Sequence, residues 1–201
     1  MISVINYGMG NIGSVVNIIK KVGGDCEIVS TPEEVAVAKK LLLPGVGSFD
    51  AGMDFLRASG LEEAIRASVF NGTPLLGICL GMQLLLDSSE EGQAAGLGLV
   101  SGRAKRFDLT KHDIKVPHMG WNTINVARPS ALFEPCDRDD RFYFVHSYFV
   151  ECDNQNDIAT YTTHGEQFVS SFEKNNIFGA QFHPEKSHKF GMKLIKRFLE
   201  I

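Results

Sequence analysis

The sequence predicts an α/β fold in three layers: a mostly parallel central sheet, helices on both faces, and antiparallel additions in the second half. Short apolar runs alternate with segments of helical period up to residue 78. That rhythm belongs to parallel strands joined by crossover helices. From about residue 97 to 182 the apolar runs continue with few helices between them, so antiparallel pairing is expected there. Composition agrees: 201 residues, 44% hydrophobic, 22% charged and a net charge of -4. This is enough to bury a full core, and one domain over residues 1–201 is expected. A mildly acidic chain of this kind is neither disordered nor a general binder of nucleic acid or anionic membranes.

The elements follow in order. Ile2 to Asn6 reads as a buried strand. Ile12, Val15, Val16, Ile19 and Val22 form one helical face, ended by Gly23-Gly24. Cys26 to Val29 is a second strand. Thr31-Pro32-Glu33-Glu34 starts a helix, with Thr as cap, Pro in the first turn and Glu three residues on. Lys40 to Leu43 is a third strand, stopped by Pro44-Gly45. Leu61, Ala64, Ile65 and Val69 make a helical face that Gly72 ends. Leu75 to Ile78 is a fourth strand, and Met82 to Asp87 reads as helix. Strands are expected over 97–107, 120–126, 142–151, 157–164, 167–173 and 177–182. A last helix begins near Ser187, with Phe190, Leu194, Phe198 and Leu199 on one face.

The N-terminus lacks a basic segment before its glycines, and no apolar run reaches the ~18 residues of a membrane span. Cys26, Cys79, Cys136 and Cys152 form no C-x-x-C and are too widely spaced for a zinc site or a small disulfide framework. A reduced cytoplasmic protein without a metal is the expectation.

Gly8-Met9-Gly10-Asn11-Ile12-Gly13 fits a dinucleotide fingerprint between strand and helix. The acidic residue that should hold the ribose is missing, because Ser30 stands at the end of the second strand. A tight exposed turn, with no cofactor, is the better reading.

Gly77-Ile78-Cys79-Leu80-Gly81 has the form of a nucleophile elbow with Cys in place of Ser. A sharp strand-to-helix turn exposes the nucleophile, the glycines leave it room, and the helix N-terminus favours the thiolate. The pentapeptide alone equally fits a buried Cys in a Gly-rich strand. Gln181-Phe182-His183-Pro184-Glu185 breaks that tie. His183 ends a strand and can serve as base to a thiol on a neighbouring strand. Glu185 can orient the imidazole and stabilise its charge. Pro44-Gly45-Val46-Gly47-Ser48 ends the third strand, where backbone N–H groups can join that of Leu80 in an oxyanion hole. A plain strand-to-helix turn is the alternative.

Leu43–Gly47, Gly77–Gln83 and Phe182–Glu185, in that order, resemble the three signatures of the class I (triad-type) glutamine amidotransferases. Tyr7–Asn11, Pro117–Asn122, Tyr143–Tyr148 and Gly179–Lys186 narrow the resemblance to one branch. Its members feed ammonia to a (β/α)₈-barrel cyclase that makes imidazole glycerol phosphate and aminoimidazole carboxamide ribotide in histidine biosynthesis. The resemblance implies a flavodoxin-like sheet and hydrolysis of L-glutamine through a Cys79 thioester. His183 and Glu185 would complete the triad, and the N–H groups of Val46 and Leu80 would hold the oxyanion. Gly47, Gln83, Glu91, Tyr143, His146 and Ser147 would line the glutamine pocket. Glu91 could instead be a solvated loop carboxylate, and His146 a core histidine. Exposed Tyr7, Met9, Asn11, Met119, Trp121 and Lys186 would dock on the barrel in a heterodimer, with core packing as the alternative for Trp121.

Rival functions are an ammonia donor of another pathway, such as pyridoxal phosphate synthesis, a free hydrolase, a non-catalytic binding module and a nicotinamide-dependent oxidoreductase. A binding module would be expected to lose the nucleophile or the base, and both remain.

Overall fold

Five parallel strands form the middle of the molecule in the order β2-β1-β3-β4-β13. They are β1 (Ile2–Ile5), β2 (Cys26–Val29), β3 (Leu41–Gly45), β4 (Leu75–Cys79) and β13 (Ile177–Ala180). The computed structural model describes residues 1–110, 114–133 and 140–201, so Cys136 lies outside the described residues. Side chains alternate across a strand, and both faces of β3 and β4 are apolar. Leu41, Leu43 and Leu75 therefore join one core, while Leu42, Leu76 and Ile78 join the other. α2 (Pro32–Ala36), α3 (Phe49–Ala58), α4 (Leu61–Phe70) and α5 (Leu80–Leu84) cover the first face. α1 (Ile12–Lys21) and α6 (His188–Glu200) cover the second.

Local chemistry sets the ends of these elements as expected. Thr31 and Glu34 form a reciprocal capping box on α2, with Pro32 in the first turn. Asn11 caps α1 by accepting from the Ser14 N–H. α3 has no counterpart among the sequence expectations. Its buried residues Phe49, Gly52, Met53 and Leu56 nevertheless fall at i, i+3, i+4 and i+7, a legible helical face.

The second half adds antiparallel strands beyond β13: β12 (Glu166–Lys174), then β10 (Tyr148–Cys152), then β6 (Gly102–Arg106). β5 (Ser88–Ser89) closes that edge in parallel with β6. β11 (Ile158–His164) pairs with β12 and β8 (Asn125–Val126). β7 (His118–Thr123) and β9 (Arg141–His146) form a separate two-stranded sheet.

Four expectations need correction. The strand expected to stop at Leu43 runs on through Pro44-Gly45. Past Leu42 it pairs with β4 alone, so proline's missing N–H breaks no ladder toward β1. The helix expected over 82–87 is α5, which starts at Leu80 and ends at Leu84. The strand expected over 97–107 begins only at Gly102. These two have one cause: the N–H groups of Leu97, Gly98, Leu99 and Val100 donate to the carbonyls of Leu84, Leu86, Leu85 and Leu85. Residues 97–100 thus cap the end of α5 instead of joining a ladder. Finally, the strand expected over 142–151 divides at Ser147. β9 pairs with β7, while β10 pairs with β6 and β12, so one apolar stretch serves two sheets.

Candidate active site

The carboxyl ends of β3, β4 and β13 lie side by side, because Gly45 is in register with Cys79 and Ala180 with Ile78. Each strand delivers one expected piece of the site: Val46-Gly47, Cys79 and His183. Cys79 has φ 55° and ψ -111°, a strained conformation for a residue with a side chain. Close approach requires its flanking glycines. A Cβ on Gly81 would lie 1.9 Å from the Leu43 carbonyl oxygen, and one on Gly77 2.7 Å from that of Gly81. The G-x-C-x-G spacing is thus the packing requirement of a sharp turn against β3.

His183 follows β13 and is held from three directions. Its N–H donates to the Tyr143 carbonyl at 2.9 Å, and its own carbonyl accepts from Ser187 Oγ at 2.6 Å. A 3₁₀ turn over Pro184–Lys186 folds Glu185 back, so that His183 Nδ1 and Glu185 Oε1 are 2.7 Å apart. Nδ1 must be the donor, because a carboxylate accepts. His183 Nε2 is buried without a hydrogen-bond partner, in position to take a proton from the thiol. Burial opposes the charge of His183, but the Cys79 sulfur and the Glu185 carboxylate outweigh it and push the imidazole up to about 10.

A cavity of about 360 Å³ opens over Cys79. Of the expected pocket residues, Gly47, Gln83, Glu91, His146 and Ser147 line it, together with Val46, Leu80 and His183. Tyr143 stands outside that wall. It projects from the opposite face of β9 to His146 and meets Trp121 edge-on, with Lys186 Nζ 5.7 Å from its ring centre. Glu91 accepts from the Phe49 N–H at 2.8 Å, at the start of α3. It is therefore a fixed carboxylate rather than a solvated one.

His146 offers no ring nitrogen to the cavity. Its Nδ1 lies 2.8 Å from the Tyr148 carbonyl and its Nε2 3.0 Å from His118 Nδ1. A carbonyl can only accept, so Nδ1 carries the proton, and His118 donates to Nε2. Asn122 Nδ2 then donates to His118 Nε2 at 3.2 Å. Burial pushes His146 down to about 3 and His118 down to about 4, and both stay neutral.

The expected docking residues divide. Met119 and Trp121 project outward from β7, 63% and 44% exposed, while His118 on the same strand is buried. Asn11 and Lys186 are exposed as well. Tyr7 is not exposed, as was expected, but buried in the core. Its strand-end position turns the ring inward, and its hydroxyl has no partner. Burial and the nearby Cys79 charge raise its phenol above the ordinary range. Met9 is half-buried over Gly47, where a Cβ would fall 2.3 Å from Met9 Cε.

Two features had no place among the sequence expectations. Gln181 lies fully buried beside Cys79, and His118 backs His146. The alternation of inward His118 and Asn122 with outward Met119 and Trp121 was the available signal for the second. Nothing in the sequence marked the first.

The chain as a whole resembles known proteins. Residues 3–201 match the family model described as glutamine amidotransferase class-I. Solved structures agree in fold: one titled as a glutamine amidotransferase matches with a TM-score of 0.77 at 18% identity, covering 98% of this chain and 97% of its own. PurLQS from Thermotoga maritima matches with a TM-score of 0.74 at 18% identity, over 99% of this chain and 97% of the other. The chain belongs to the class I glutamine amidotransferases. Within them it falls in the HisH family. It is 49% identical to "Imidazole glycerol phosphate synthase subunit HisH 2" of Methanococcus maripaludis, over 100% of this chain and 99% of the relative. It is 45% identical to the protein of the same name in Pseudomonas aeruginosa, over 100% of both.

Proposed function

We propose that this chain is the glutaminase subunit of an imidazole glycerol phosphate synthase, acting in histidine biosynthesis as a single catalytic domain over residues 1–201. The observation that carries the reading is the Cys79–His183–Glu185 arrangement at adjacent strand ends, inside a full-length HisH relative. Glutamine enters the cavity over Cys79. The Cys79 proton passes to His183 Nε2, and the sulfur attacks the side-chain amide carbon. The resulting oxyanion meets the N–H of Leu80, the first residue of α5 and so without an intrahelical partner, and that of Val46. His183 returns the proton to the departing ammonia, leaving a thioester. Water, activated by the same imidazole, then releases glutamate. Glu185 keeps Nε2 aimed at the sulfur and stabilises the imidazolium.

The bound glutamine meets Gly47, Gln83, Glu91 and Ser147. Glu91 supplies the charge for the substrate ammonium, and Gln83 offers its carbonyl oxygen. Both hydrogens of the Gln83 amide are already engaged, by the Tyr148 carbonyl and by Gln181. Ammonia passes to a (β/α)₈-barrel partner docked over Met9, Asn11, Met119, Trp121 and Lys186. Cytoplasmic placement suits the free thiols of Cys26, Cys79 and Cys152.

The test separates the two subunits. Cys79→Ala should abolish glutamine-dependent product formation by the complex and leave formation from added ammonium salt intact. Equal loss of both activities would sink this division of labour.

A further inference from the structure

Gln181 follows β13 and is completely buried next to the nucleophile. Burying a carboxamide is costly unless both of its ends are bonded. Both are. Oε1 lies 3.2 Å from Gln83 Nε2, and Nε2 lies 3.9 Å from Cys79 Sγ, within reach of a hydrogen bond to sulfur. The direction of this chain is fixed from its far end. The Tyr148 carbonyl can only accept, so the Gln83 amine group must face it, at 2.9 Å. The second Gln83 hydrogen then points at Gln181, which must answer with its oxygen. The amine end of Gln181 is left facing the sulfur. Besides His183, Sγ has the Val145 carbonyl at 3.9 Å as a polar neighbour, which can accept from the thiol but gives nothing to the thiolate. Once the proton has moved to His183, Gln181 is a second side-chain donor facing the charged sulfur, beside the imidazolium.

We propose that Gln181 is a further catalytic residue, donating an N–H to Cys79 Sγ and favouring the thiolate, with its orientation set by the chain Tyr148 carbonyl–Gln83–Gln181. The consequence for turnover rests on the glutaminase reading, whereas the effect on the thiol does not. Proton transfer from Cys79 to His183 is balanced: Sγ–H breaks, His183 Nε2–H forms, and the sulfur keeps the electron pair.

The experiment is the rate of Cys79 alkylation by iodoacetamide against pH, read by peptide mapping on the whole chain. Gln181→Met keeps the volume and removes the donor. Its inflection should lie about one pH unit above the wild type, the weight of one hydrogen bond to a charged group. kcat for glutamine should fall roughly tenfold, with KM little changed. Gln181→Leu likewise offers no donor to the sulfur, so its inflection should rise as far. The second variant also guards against poor folding of the first. Unchanged inflections in folded variants would overturn the proposal and make Gln181 a spacer. A wild type with the expected profile that leaves glutamine intact even in complex with the barrel subunit and its ligand would defeat the glutaminase reading instead.

Discussion

Cys79 is held at a positive φ that costs on the order of 1–3 kcal/mol, and the turn persists because Gly77 and Gly81 pack without room for a Cβ. In the proposed mechanism the strained turn aims the sulfur, and His183 moves its proton. Loss of either residue removes a bond-making or proton-moving group. Among the described residues Glu185 hydrogen-bonds through its side chain to His183, at 2.7 Å, and a glutamine there can still accept from Nδ1 through its oxygen. Glu185→Gln should therefore cost roughly one to two orders of magnitude less in kcat than Cys79→Ala. Steady-state glutamate release from both variants checks this, and equal inactivity would mean the carboxylate does more than orient. Cys152 is a different case. Burial, with the Asp157 and Asp153 charges, pushes Cys152 up to about 12, so it stays protonated and inert.

β7 works through its two faces, a consequence of the period of two. Outward lie Met119 and Trp121, and inward lie His118 and Asn122. The inward face joins β9 in a relay of neutral rings. His118 stacks on His164 at 4.1 Å and on Phe144 at 4.8 Å, and bonds to His146. The folded values of His118 and His146, about 4 and about 3, lie below the ordinary 6.5. The unfolded chain therefore binds more protons in that window. Their contribution to stability is present above pH 6.5 and is lost as pH falls toward 4 and then 3. His183 has the opposite sign, since its raised value gives stability that is lost only as pH rises from 6.5 through about 10. The lowered carboxyls of Glu34 and Asp50 act only below about 4.5. Between pH 7 and 5, His146 alone should remove on the order of 2 kcal/mol. Urea unfolding across that range should show a flatter slope for the His118→Gln/His146→Gln double variant. A slope as steep as the wild type's would refute the assignment.

Across the whole molecule, the proposed docking face and the proposed oxyanion loop are in contact. Met9 touches Gly47, and Val46 is 45% exposed at the mouth of the cavity. Gly47, at φ 119°, permits the adjoining peptide to reorient. One oxyanion donor is worth on the order of 3 kcal/mol, or ~100-fold in rate. A partner that presses on Met9 and β7 can thus switch the glutaminase by improving a single N–H. Glutamate release should be slow from the isolated chain, faster with the barrel subunit, and fastest with ligand on the barrel. Trp121, stacked on His188 at 5.5 Å but 44% exposed, is better placed for docking than for core packing. Trp121→Ala should weaken docking or stimulation without lowering the melting temperature appreciably. A rate flat across the three conditions would favour a free-standing hydrolase.

The sequence by itself determined the parallel core, its crossover helices other than α3 and the three chemical signatures, because each rests on local patterns: apolar runs, helical spacing, capping residues and Gly-flanked turns. It could not divide 142–151 at Ser147, since the same apolar stretch satisfies either sheet until its partners are in place. Nor could it bury Tyr7, since a residue just past a strand end can turn either way, or free Tyr143 from the cavity, since alternation along β9 separates its two faces without saying which one meets the cavity. The roles of Gln181 and His118 lie further still from the sequence. Both depend on which group of a neighbour can only accept a hydrogen bond, and the Tyr148 carbonyl acquires that authority only when β9, β10 and α5 converge on it. Tertiary contact alone set the direction of those amides and rings, and with it the donor that faces the nucleophile.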